Sequence, residues 1–150
     1  MKSSLTRKIA KVTYFQTILI FGLLSLIATK TKGQSVLKFK TTDFAYKITN
    51  SNDEWMEWSE WQDAKILVTF DFDKERIKIF SKETQIYDIA KDEGKTSNEN
   101  GDDIYSFFCV NEDGLQCRLK LWKRHFESGE LYHQLYIYFS DTQYVYNINI

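Results

Sequence analysis

Apolar residues recur at every second position through most of this chain, and no useful length of it shows a 3.6-residue period. Ile66, Val68, Phe70 and Phe72 alternate with Leu67, Thr69, Asp71 and Asp73. The same two-residue beat runs through Ile77 and Ile79, through Leu115, Cys117, Leu119 and Leu121, through Leu135, Ile137 and Phe139, and through Tyr144, Tyr146, Ile148 and Ile150. Successive side chains of a strand point to opposite faces, so this pattern buries one face of each strand. It predicts strands near 36–48, 64–72, 75–81, 84–90, 103–110, 115–125, 131–140 and 143–150.

The connections are short and polar: Asp73-Lys74, Ser81 to Glu83, Glu112-Asp113-Gly114, Glu127 to Glu130, and Asp141-Thr142. Turns this short join neighbours antiparallel. About eight strands in meander order would leave two open edges in a flat sheet, and closure removes them. The expected fold is all-β: a single-domain antiparallel meander, closed or flattened into a barrel, lipocalin-like in architecture, with a β-sandwich as the alternative. Two longer gaps interrupt it. Thr49 to Asp63 holds three tryptophans and room for one helical turn, and Lys91 to Asp102 reads as a polar loop.

The first 33 residues differ from the rest. Lys2, Arg7, Lys8 and Lys11 precede an apolar run from Ile18 to Ala28, and a small-residue stretch ends at Gly33. That order is the pattern of a secretory signal peptide, with cleavage expected after Gly33 or, alternatively, after Ala28. The run is shorter than the ~20 apolar residues that span a bilayer. The expected product is a periplasmic or secreted domain over residues 34–150, with no membrane attachment after cleavage. The leader holds six of the 20 basic residues and no acidic one, so 14 basic and 21 acidic residues remain beyond it, a net charge of −7. Such a surface repels phosphate backbones, and nucleic-acid binding is not expected.

Cys109 and Cys117 flank the hairpin tip Glu112-Asp113-Gly114. With Gly114 left-handed, Asn111 pairs with Leu115 and Cys109 with Cys117, on one face. In an oxidising compartment this predicts a disulfide.

Trp55, Trp58 and Trp61 form the most unusual local feature, either plugging one end of a barrel or contacting a ligand. Their spacing is similar to the W-x-x-W of thrombospondin type 1 repeats, but the arginines and cysteines of those repeats are absent here. Tyr132, Tyr136 and Tyr138 lie on one face of a strand, and Tyr144 and Tyr146 on one face of the next. Tyrosine offers an apolar body and a polar tip. The candidate ligand-contacting set is therefore Trp55, Trp58, Trp61, Tyr136, Tyr138, Tyr144 and Tyr146. Lys120, Lys123 and Arg124 make a small basic spot. A four-residue loop at 127–130 sets Arg124 opposite His133 and sends His125 and His133 to opposite faces, which disfavours a shared metal. Asp71, Asp73 and Glu75, and Glu99, Asp102 and Asp103, lack the spacing of a calcium loop. No nucleophile–base set and no phosphate-cradling glycine loop is present, so no catalytic residue, metal or cofactor is expected.

Trp58-Ser-Glu-Trp61, the run from Asp73 to Asp88, Cys109 to Cys117 and the ending Tyr144-Val-Tyr-Asn resemble a group of short exported bacterial proteins of unknown function. The resemblance spans roughly residues 55 to 150 and implies a whole small protein. It transfers no functional residue. The composition and pattern together predict a non-catalytic exported β-barrel domain for a small, partly apolar ligand. The alternative is an interaction or inhibitor module that meets an envelope protein through an aromatic face.

Overall fold

The computed structural model describes residues 35–126, 128, 129 and 131–149. The expected leader lies outside them. The described chain forms β1 (Val36–Ile48), β2 (Gln62–Asp63), β3 (Leu67–Asp71), β4 (Arg76–Phe80), β5 (Thr84–Ser97), β6 (Asp103–Asn111), β7 (Gln116–His125), β8 (Leu131–Tyr138) and β9 (Thr142–Asn149). Every pairing is antiparallel, in the order β2-β1-β3-β4-β5-β6-β7-β8-β9, and β9 returns to pair with β1. The result is the expected meander closed into an eight-stranded barrel, with the two-residue β2 as an extra edge. Closure pairs β9 with β1 and so removes the two open edges that a flat meander would have, while Lys91–Ser97 of β5 pairs on one side only, with β6.

β1 makes the closure possible by serving three partners. Its first half, Val36 to Lys40, pairs with β3, and Lys40 to Ile48 pairs with β9. A register shift between Thr41 and Asp43 bends the strand between these tasks. Thr41 is 2% exposed, and its hydroxyl accepts the Ile66 N–H at 3.0 Å and donates to the Ala64 carbonyl. This irregular corner is why β3 starts at Leu67 rather than at residue 64.

The inward positions are the alternating ones. Val68, Phe70, Ile77, Ile79, Cys109, Leu119, Leu135 and Ile137 are fully buried and form one cluster with Tyr87, Phe107, Cys117, Tyr146 and Ile148. An eight-stranded barrel is just wide enough for such side chains to fill.

Four expectations are corrected. The polar stretch from Lys91 to Ser97 is strand, not loop: register shifts at Ile89/Lys91 and Asp92/Gly94 insert extra residues that erase the two-residue beat from the sequence. The Thr49–Asp63 link contains no helix; it runs extended along the edge of β1, with Met56 N–H bonded to Ile48 O at 2.9 Å and Ser59 N–H to Tyr46 O at 2.8 Å. His125 pairs with Leu131 and Lys123 with His133, so the loop is one residue longer than expected and both histidines share a face. A one-residue slip moves every side chain to the other side.

The fourth concerns the cysteines. Cys109 does pair with Cys117, but both are free buried thiols, not a disulfide. Asn111 N–H bonds Leu115 O at 3.0 Å, with Gly114 left-handed at φ 77°. Counting out from there by alternation puts Cys109 and Cys117 at a hydrogen-bonded pair, where Cα atoms stand about 5.5 Å apart and side chains do not converge. Burial pushes the Cys109 thiol up to about 12, helped by neighbouring Cys117, and the Cys117 thiol up to about 11. Neither is poised as a thiolate nucleophile.

Candidate functional site: an open barrel end and an outer aromatic band

The meander gives the barrel two ends of different chemistry. At one end, the tips at Ser81–Glu83 and Glu112–Leu115 and the end of β8 enclose a polar recess of about 320 Å³, lined by Glu83, Gln85, Tyr87, Glu112, Asp113 and Tyr144 among others. At the other, where β1 begins and β3 ends, lies an open apolar cavity of about 330 Å³. Leu37, Phe39, Phe70, Phe72, Tyr105, Phe107 and Leu121 line it, together with Lys123 and His133.

The apolar end follows from the inward alternation running to the strand tips. Phe70 and Phe107 are buried and form its floor, with ring centroids 5.7 Å apart; Phe39 meets Phe70 edge-on at 5.7 Å. Phe72 sits 6.2 Å from Phe70 and 6.1 Å from Phe107, yet is 37% exposed at the rim. Leu37 and Tyr105 are exposed there too. Such a rim of large apolar groups around a concave floor is the usual build of a small-molecule site. Lys123 and His133 face each other across the β7–β8 ladder at its edge. Desolvation, then Lys123 and His125, hold the His133 imidazole below its ordinary pKa.

The second feature is on the outside. Positions 120, 122 and 124 of β7, 134, 136 and 138 of β8, 143, 145 and 147 of β9, and 43, 45 and 47 of β1 share the outer face. Tyr136 is its hub: Trp122 lies at 5.9 Å, Tyr138 stacks at 5.8 Å, and Trp58 meets it edge-on at 6.5 Å. Trp58 arrives from the link beyond β1, so it must cross β1 and β9. The outer positions between are small, Ala45 and Val145, paired with each other and only 1% and 3% exposed.

Cations interleave with the rings. Lys47 Nζ is 5.0 Å from the ring centroids of both Trp55 and Trp58; Arg124 stands 5.0 Å over Trp122 and Lys120 5.4 Å over Tyr138. Beneath runs a polar chain. Arg124 Nη2 donates to the Tyr136 hydroxyl at 3.3 Å, that hydroxyl to Gln134 Oε1 at 3.1 Å, Gln134 Nε2 to Asn147 Oδ1 at 2.9 Å, and Asn147 Nδ2 to Asp43. Burial raises the Tyr136 phenol and pushes Tyr138 up to about 12, so both remain donors.

The candidate set read from sequence therefore divides. Trp55, Trp58, Trp61, Tyr136 and Tyr138 belong to the outside; Tyr144 and Tyr146 point into the barrel, Tyr146 in the core and Tyr144 beside the polar recess. The basic spot divides as well: Lys120 and Arg124 lie over rings, while Lys123 reaches the apolar end. Sequence reasoning missed Trp122 as a partner of Tyr136, and it missed the apolar end as a unit. The signal for the latter was present in the inward-facing aromatics at strand tips, Phe39, Phe72 and Tyr105, next to inward Lys123.

The carboxylate groups have structural partners. Asp102 Oδ1 accepts His125 N–H at 3.0 Å and Oδ2 accepts Asn98 Nδ2 at 3.0 Å, which lowers its pKa. Among the described residues no group of three or more His, Cys, Asp or Glu is placed to hold a metal. Comparisons with family models, with curated proteins and with solved structures find no match.

Proposed function

We propose that this chain is a non-catalytic, exported carrier that holds a small, partly apolar ligand in the apolar end of its barrel. One observation supports the reading above others: a cavity of about 330 Å³ whose walls are almost entirely aromatic and aliphatic, open at the strand tips. Water occupies about 30 Å³ per molecule in the liquid, so this space suits roughly ten atoms of that size. The barrel centre is filled, so the ligand sits at the mouth with part of its length in solvent. The leader pattern of residues 1–33 supports export to the periplasm or beyond.

Native mass spectrometry of freshly purified protein tests the carrier reading. An adduct that survives desalting and leaves on denaturation is expected; a bare mass, with no gain in melting temperature from apolar small molecules, overturns it. The intact mass of the exported product also checks cleavage after Gly33 or Ala28.

A second reading is favoured by a different surface. Trp55, Met56 and Trp61 are 42%, 53% and 50% exposed, lie within one seven-residue stretch and are anchored to the edge of β1 by backbone hydrogen bonds. Exposed aromatics of this kind suit a protein partner in the cell envelope. A pull-down from envelope extract with wild type and the Trp55→Ser, Trp61→Ser variant tests it: a partner lost with the variant is expected, and equal recovery by both overturns it.

A further inference from the structure

We propose that the ligand of the apolar end is a monoanionic amphiphile, a medium-chain carboxylate whose head sits between Lys123 and His133. The inference rests on reading that end as a ligand site, and it adds the charge and the direction of the ligand.

The walls of the cavity carry two nitrogen-bearing side chains, and both belong to one ladder position, Lys123 opposite His133. Nothing else in the lining is ionic: the rest is Leu37, Phe39, Phe70, Phe72, Phe107, Leu121 and the phenol Tyr105. The natural counter-ion for Lys123 is Asp103, its partner on β6. That carboxylate is already taken. Lys95 Nζ holds Asp103 Oδ1 at 2.9 Å, and the Ser97 hydroxyl donates to the same oxygen at 2.9 Å. No ion pair or hydrogen bond joins the side chain of Lys123 or of His133 to any described residue.

The result is a positive charge and an imidazole facing an apolar cavity, with the carboxylate at their ladder level already paired to Lys95. The net charge of −7 beyond the leader works against anions at long range. Charge more than about 8 Å away is largely screened at physiological ionic strength, so the neighbouring ammonium decides. A carboxylate fits both groups: it accepts from the ammonium and from an imidazole N–H, and two charge-assisted or polar bonds fix its orientation. A neutral ligand of the same length gains only the apolar part, and a cation meets Lys123. The alkyl portion then points down onto Phe70 and Phe107, where about 0.8 kcal/mol per buried methylene favours it.

Isothermal titration calorimetry of the protein, isolated from cells expressing the full coding chain, tests this with decanoate, decanol and decyltrimethylammonium. Decanoate is expected to bind at least about tenfold tighter than decanol, and the cation weakest. Lys123→Met keeps the aliphatic stem and removes the charge; it is expected to abolish the preference for decanoate, weakening decanoate far more than decanol. His133→Gln is expected to reduce the preference by less. Matching melting curves establish that the variants fold. Equal affinity for decanoate and decanol, tighter binding of the cation, or an undiminished preference in Lys123→Met overturns the anion assignment while leaving the apolar site in place. Binding of none of the three overturns the site itself, and the assignment with it.

Discussion

The centre of the barrel and the band on its outer face both bury aromatic and polar-tipped side chains, but by opposite means. Inside, burial needs few hydrogen bonds, because the fully enclosed side chains are hydrocarbon apart from the Cys109 thiol, and the core phenol of Tyr87 donates to Gln85 Oε1 at 2.7 Å. Outside, Ala45, Val145, Gln134 and Asn147 are buried on the face where Trp122, Tyr136 and Tyr138 of the strands meet Trp58 of the link, and a chain of side-chain hydrogen bonds satisfies the amides. Trp122 Nε1 and Arg124 Nε are buried there without a partner among the described residues. The comparison teaches that the interior supplies cohesion, whereas the band trades some satisfaction of polar groups for a fixed aromatic surface.

The sharpest separation of the two regions is chemical access. Cys109 and Cys117 are buried and their thiols are pushed up to about 12 and about 11, so neither should react with a disulfide reagent in the native state. Labelling is expected to be slower by about a thousandfold or more than in denaturant, because it waits for opening of the core. Rapid native labelling breaks the picture of a closed centre.

Leu119→Ala should cost about 2–5 kcal/mol in denaturant unfolding, since nothing can collapse into the space at a fully enclosed position. Trp58→Ala should cost less, about 1–2 kcal/mol, through lost edge-on contact and re-wetting of Ala45 and Val145. Equal losses for the two would show that the band is as cohesive as the core.

The smallest effects are electrostatic. Asp102, Asp103 and Glu93 all have lowered pKa values: Asp102 from the His125 N–H, Asp103 from Lys95, and Glu93 from a two-pronged bond to Arg118 at 2.6 and 3.0 Å. A carboxylate that binds its proton less readily when folded stabilises the fold above the ordinary carboxylate range, near pH 4, and loses that contribution as pH falls through the lowered value. Asp102→Asn should flatten the acid limb of a melting-temperature profile. His133 works in the same direction at milder pH: its lowered pKa means stability falls as pH drops below about 6.5, the ordinary histidine value. His133→Gln should remove that slope, and an unchanged slope would place its origin elsewhere.

The strands of the interior were readable because alternation is a local signal. Val68, Phe70, Leu119, Leu135 and Ile137 each take the face their neighbours dictate, and the hairpin at Gly114 fixes the register of Cys109 and Cys117. Local signals failed where a residue is inserted. The extra residues at Ala90 and Glu93 hid half of β5, and one more residue in the β7–β8 loop turned His133 toward His125's side. Neither site was legible as a unit, although Trp58, Tyr136 and Tyr138 of the outer band were singled out. Tyr136 meets Trp58 only because of closure, which no spacing along the chain encodes, whereas its contact with Trp122 crosses the β7–β8 hairpin and depended on the misjudged loop length. The disulfide expectation failed for a finer reason: opposition across a ladder does not by itself bring two sulfurs within bonding reach.

The seam between the first and last strands sets an order of events. Asn147 bonds Asp43 across 104 positions, and eight residues of β9 lie against β1. In sequence β9 follows all the other strands, so β1 keeps one side unsatisfied until β9 docks. Folding of this kind is slow and intolerant of truncation, because contacts between distant chain segments exact their entropy before returning any energy. Losing β9 would therefore open the whole cylinder rather than trim its rim.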